Sequence, residues 1–200
     1  VAPTVVANSR RFVADRCGRV GGVNDDRHFA FLRAINTGTR RLSNKELLAP
    51  FEAMGFRDVA AYQAAGNVTF RSDAPPDERT IEVALARSYG FETPTFVRSE
   101  AELATIVAAD PVPPDVIAAT AGKVQVAFLR AEASDGQGAA VAELVPDEDR
   151  VRLLGREWYW LPVAGISTSR LPVGQIERVL GEMTIRTLGT VQRIVAKFVD

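Results

Sequence analysis

Cysteine and histidine occur once each among the 200 residues, as Cys17 and His28. A single cysteine excludes an internal disulfide framework and a multi-cysteine metal site, and a single histidine removes histidine-based sites in the same way. No metal or other cofactor is therefore expected. Charge of one sign is missing too, because 24 basic residues face 25 acidic ones for a net charge of −1. No global field draws the chain onto nucleic acid or an anionic membrane, although a local patch is compatible with that balance. Lysine is scarce, at Lys45, Lys123 and Lys197, so most cations are arginines. In so arginine-rich a chain, an arginine in a loop is weaker evidence for phosphate binding. No apolar run of about eighteen residues exists, so no membrane span is expected and a cytoplasmic protein is the reading.

What is present is enough apolar side chain, 46% of residues, to bury a core. Residues 1–26 show neither helical nor strand periodicity and read as a disordered tail. Their apolar stretch Val5-Val6-Ala7 is too short for a signal-peptide core and precedes the arginines instead of following them. From His28 the pattern sharpens. His28 to Arg33 reads as a buried strand with Phe29 and Phe31 on one face and Ala30 and Leu32 on the other, followed by a polar loop from Asn36. Ser43-Asn-Lys-Glu46 is a capping box, and Leu47, Leu48, Phe51 and Met54 then fall on one helical stripe, with a kink expected at Pro50. Strands over 59–63 and 68–71 join through Gly66-Asn67. Asp77 caps a helix that Gly90 stops, and Thr93 to Val97 closes the unit. This βαββαβ order over residues 27–110 predicts a ferredoxin-like antiparallel sheet with helices on one face.

Ser99-Glu-Ala-Glu102 opens a further helix, and the proline cluster Asp110-Pro-Val-Pro-Pro-Asp115 marks a boundary, with 111–122 read as linker. Residues 123–200 are expected to form a second, smaller α+β subdomain. It comprises a strand over 123–130, a helix over 136–144, and a hairpin turning through Gly155-Arg156, with Trp158 and Trp160 on one core-facing side. Ser169 is expected to cap a helix starting near Pro172, and Thr187 the last helix. Arg186, Thr190, Arg193 and Lys197 then line up as one polar, mostly cationic face of it. The fold class is thus α+β in two subdomains.

Five short motifs, His28-Phe-Ala-Phe-Leu-Arg-Ala-Ile-Asn36, Met54-Gly-Phe-Arg-Asp-Val59, Gly66-Asn-Val-Thr-Phe70, Ser169-Arg-Leu171 and Thr184-Ile-Arg186 with Thr190-Val191, occur in that order. Together they resemble the bacterial domain-of-unknown-function family 1697 over about residues 27–199. The resemblance implies an α+β fold of two subdomains, the first ferredoxin-like, and carries no established activity. The sequence departs from the family pattern at Ala34, Thr37 and Thr39, at Ala64-Ala65, and at Thr187 after Arg186.

Three function classes stay open. A binding module for a small anionic or phosphorylated ligand, or for a nucleic acid element, would use Arg33, Asn36 and Asn67 from the first subdomain with Ser169, Arg170 and Arg186 from the second. Guanidinium forks and amides suit phosphate and carboxylate groups. A metal-free enzyme would rest on carboxylates, hydroxyls and arginine, for instance Arg186 with Ser167 or Ser169. An interaction protein, monomer or homodimer, would use an exposed sheet face.

Overall fold

The computed structural model describes residues 25–36, 41–63, 65–120 and 122–199. The expected tail, Cys17, the centre of the loop after Asn36, and the family departures at Thr37, Thr39 and Ala64 lie outside the described residues, except that Asp26 already belongs to the first strand. The elements run β1 (Asp26–Leu32), α1 (Asn44–Ala53), β2 (Arg57–Ala61), β3 (Asn67–Ser72), α2 (Glu78–Tyr89), β4 (Thr95–Ser99), α3 (Glu100–Ala108) and the short α4 (Pro114–Ala118). They continue with β5 (Gln125–Leu129), α5 (Asp135–Ala142), β6 (Arg150–Leu154), β7 (Glu157–Leu161), α6 (Val173–Leu180), β8 (Met183–Thr187) and α7 (Leu188–Phe198).

The first sheet has the order β2-β3-β1-β4, all neighbours antiparallel, as a ferredoxin-like unit requires. Local chemistry sets its helices. The Ser43–Glu46 and Ser99–Glu102 boxes are both closed in each direction, and Asp77 accepts from Thr80 N–H. Gly90 ends α2 at φ +75, a conformation that costs a side chain-bearing residue about 1–2 kcal/mol. Pro50 is buried inside α1 without breaking it, and the helix bonds on from Pro50 C=O to Met54 N–H at 3.1 Å. The helix stripes bury Leu47, Phe51, Ile81 and Leu85 against Ala30, Leu32, Val68 and Phe70 on the outer face of the sheet.

The second α+β unit turns out to repeat the first. Its sheet has the order β6-β7-β5-β8, the same pattern of a central first strand flanked by the third and fourth. Both units are βαββαβ followed by one more helix, α3 in the first and α7 in the second. The register matches as well. Phe31 lies opposite Asn67 and Phe96, while Phe128 lies opposite Glu157 and Thr184. β8 is the strand that sequence pattern did not deliver, because Arg186 also falls at helical spacing with Thr190, Arg193 and Lys197 and so reads as part of the helix that follows.

The inner faces of the two sheets share one core with α3 and α7. Phe29, Phe31 and Phe96 meet Val126, Phe128 and Tyr159, joined by Leu103, Ile106, Val191 and Ile194. At its centre Phe31 and Phe128 stack with centroids 4.0 Å apart. An aromatic pair in offset contact adds about 0.5–1.5 kcal/mol beyond its buried area. Trp158 and Trp160 share the outer face of the second sheet with Leu171, Ile176 and Met183, as core and not as a ligand platform.

Candidate binding cleft where the repeats meet

Two of the expected site residues touch directly. Arg186 Nε donates to Asn67 Oδ1 at 2.7 Å, and Asn67, buried in β3, donates from Nδ2 to Tyr62 C=O. Arg186 does not continue the polar face of α7, because it belongs to β8 and points at the first repeat. Its Nη2 donates to the carbonyls of Leu32 at 2.8 Å and Ala65 at 3.0 Å, and its Nη1 to Thr184 Oγ1 and Ile185 C=O. Every acceptor there is neutral, and burial lowers the pKa of this half-buried guanidinium to about 10. Its Nε and Nη2 donors latch the repeats together, while Nη1 is held by its own strand.

Arg33, directly after β1, pairs through Nη1 and Nη2 with the Glu177 carboxylate of α6, which holds the arginine more firmly in its charged form. Asn36 has φ +55, and its Oδ1 accepts from Leu42 N–H at 2.7 Å, closing the loop upon itself. Ser169 does not cap α6. Pro172 is the N-cap and makes no side-chain bond, whereas Ser169 Oγ donates to Asp149 Oδ2 at 2.6 Å. Buried Asp149 also accepts from Trp160 Nε1 and Val163 N–H, so it anchors the 162–170 loop. Trp160 belongs to the outer face of the second sheet, and Arg186, paired with Val126, to the inner face. The Ser169 hydroxyl and the Arg186 guanidinium therefore do not converge. Arg170 is exposed.

A cleft opens elsewhere, between α2, the loop before β4 and the end of β5. Its volume is about 510 Å³, and Arg79, Glu82, Glu92, Thr93, Arg130 and Glu182 line it with Val83, Ala86 and Pro94. Arg130 crosses from the second repeat. Its Nη2 donates to Glu82 at 2.5 Å and Glu182 at 2.8 Å, its Nη1 reaches Glu78 and Thr95 C=O, and it lies over the Phe96 ring. Glu78 and Glu82 also accept from the N–H groups of Val97 and Thr95 on the sheet-edge strand β4. Arg33 and Arg130 are equivalents. They end Phe29-Ala-Phe-Leu-Arg33 and Val126-Ala-Phe-Leu-Arg130, and their partners sit in Ile81-Glu82-Val-Ala-Leu85 and Ile176-Glu177-Arg-Val-Leu180. Those two internal echoes are the signal from which the crossed ion pairs could have been found.

No helix is long and apolar enough to cross a membrane among the described residues. The family model described as "Protein of unknown function (DUF1697)" matches residues 26–159. No curated protein matches the chain. Among solved structures, the conserved bacterial protein SP0830 from Streptococcus pneumoniae is similar in fold, with a TM-score of 0.66 at 19% identity. The match covers 88% of this chain and 99% of that one.

Proposed function

Within the DUF1697 family, to which this chain belongs, we propose that the protein is a binding module whose small ligand occupies the cleft between α2 and the second repeat. One observation carries this reading. The cleft of about 510 Å³ falls in the size range of small-molecule sites, roughly 300–1,000 Å³, and brings charged side chains of both repeats around the apolar Val83, Ala86 and Pro94. A site on arginines from the inter-sheet face draws less support. The guanidinium of Arg33 already carries a carboxylate, and the donors of Arg186 already face oxygens. Catalysis through Ser169 and Arg186 draws none, since they face opposite sides of the second sheet.

A thermal-shift screen of the full chain tests the proposal, with amino acids, diamines, phosphorylated metabolites, nucleotides and short RNA. A ligand at a hundred times its Kd adds about 2.7 kcal/mol of stability and raises Tm. Val83 is exposed on α2, so Val83→Trp fills the cleft without entering the core and is expected to abolish the shift. A shift that survives in Val83→Trp places the ligand elsewhere. No shift with any compound turns the reading to an interaction module.

A further inference from the structure

We infer that β8 is a docking edge for a second copy of this chain, the two β8 strands pairing antiparallel so that the second sheets of two molecules join into one. The hydrogen-bond register fixes which way the strand faces. Leu188 N–H donates to Val124 C=O at 2.8 Å, and the same register runs back through Arg186 opposite Val126 and Thr184 opposite Phe128. In an antiparallel pair, hydrogen-bonded partners alternate with partners that are not bonded. Thr184 and Arg186 therefore bond to β5, and the N–H groups of Met183, Ile185 and Thr187 point away from the sheet.

A bare sheet edge is a template for another chain, and the edges at β2, β4 and β6 each carry a device against such pairing. β2 is interrupted by a bulge between Arg57 and Ala60, where Asp58 has φ +48. β4 has the N–H groups of Thr95 and Val97 capped by Glu82 and Glu78 at 2.9 and 2.7 Å. β6 bears the exposed charges of Arg150 and Arg152. β8 keeps an unbroken register from Met183 to Thr187, and no carboxylate accepts from its outward N–H groups among the described residues. Comparison with β4 gives the reason. Val173 precedes Ile176 by three residues as Glu78 precedes Ile81, so a valine replaces one capping carboxylate. Glu177, the counterpart of Glu82, is bound to Arg33. Arg186, the charge on β8, turns towards the first repeat.

The edge is complementary to itself. A two-fold axis through Ile185 lays β8 antiparallel to its copy, the sense of every strand pair in both sheets. Ile185 then meets Ile185, a β-branched pair that favours a sheet, and Met183 lies opposite Thr187. The Ile185 C=O accepts from Arg186 Nη1 and keeps a second lone pair for the copy's N–H. Half-buried Val173 and Ile185 both pack on the outer core of the second repeat, so the open edge is flanked by apolar surface. A second copy brings the same apolar flank to the seam, which a polar partner would leave unmatched.

The test is light scattering on the full chain after size-exclusion chromatography, from micromolar to millimolar protein. The mass is expected to rise with concentration towards twice that of one chain. Val173→Glu recreates the cap that Glu78 supplies in the first repeat. It puts a carboxylate in the first turn of α6, which a helix N-terminus favours, so the fold is kept. This variant is expected to raise the dimer Kd about tenfold. Amide hydrogen exchange of the wild type locates the contact and serves if Val173→Glu fails to fold, with exchange at Ile185 expected to slow as the dimer forms. A chain that stays monomeric across the range overturns the inference and leaves the edge to an extended segment of another protein. A dimer whose Kd ignores Val173→Glu, or whose formation leaves Ile185 exchange unchanged, also overturns it, because the contact then lies on another surface.

Discussion

Glu157 and Asn67 hold equivalent places in the two repeats and present different chemistry to equivalent arginines. Glu157, opposite Phe128, accepts from Arg98 Nε at 2.7 Å; Asn67, opposite Phe31, accepts from Arg186 Nε at 2.7 Å. Each arginine crosses to the other repeat. Arg98 donates to the carbonyls of Leu129 and Arg156 and lies over Phe128, while Arg186 donates to those of Leu32 and Ala65 and lies over Phe31. One latch is an ion pair built on a fully buried arginine, and the other a cation held by neutral oxygens.

The ion-pair latch should be costly to break on one side only. Burial lowers the pKa of Arg98, which has 0% exposure, and raises that of Glu157, so desolvation outweighs their mutual attraction on both sides. Glu157→Leu is expected to destabilise by about 3–5 kcal/mol, since it strands a buried cation. Arg98→Met with Glu157→Leu should cost less than Glu157→Leu alone. Urea titration of the wild type and the two variants measures this.

The amide latch depends on the fork of its guanidinium. Arg186→Lys keeps the charge but cannot reach Asn67, Leu32 and Ala65 together, and should cost about 1.5–3 kcal/mol through carbonyls left unpaired. A change within about 0.5 kcal/mol in chemical denaturation would show that these contacts contribute nothing.

Gly66 sits beneath Arg186 at φ +71, where an added Cβ would meet the Cβ atoms of Leu32 and Ile35 at 3.0 Å. Gly66→Ala combines left-handed strain of about 1–2 kcal/mol with overpacking of about 1–3 kcal/mol. A Tm drop of several degrees is expected. Gly55→Ala, also at positive φ but with open space around it, should show the strain alone and fall less.

His28 imposes a pH dependence. It is buried in β1, and desolvation lowers its pKa below 6.5 despite the opposing charges of Asp26 and Glu102. Below 6.5 the unfolded chain therefore binds more protons at this site than the folded one. The stability contribution is complete above about pH 6.5 and declines as pH falls towards the folded-state value. Tm measured from pH 7.5 down to 5.5 should fall in the lower part of that range, with a shallower slope in His28→Gln. Identical slopes would exclude His28 as the source.

The sequence by itself determined the first repeat. Closed capping boxes at Ser43 and Ser99, the Asp77 cap, the Gly90 stop and the alternation of Phe29 and Phe31 with Ala30 and Leu32 are short-range chemistry. Each can be read from a few neighbouring residues because each is caused by them. The end of the chain was half legible: Thr187 caps α7 as its spacing indicates. Arg186, one residue earlier, looked like the foot of a cationic helix face because it follows the same spacing.

Tertiary structure alone decided what the charged residues do. Arg33 and Glu177, Arg130 and Glu82, Arg98 and Glu157, and Arg186 and Asn67 meet only because two sheets of one topology pack inner face to inner face. An arginine bound for a partner in the other repeat has the same local pattern as one bound for water. The cleft is hidden for the same reason, being made where α2, the loop before β4 and the end of β5 converge. Local propensity writes secondary structure into short stretches of sequence, whereas the pairing of charges across a core is set by long-range packing that no short stretch contains.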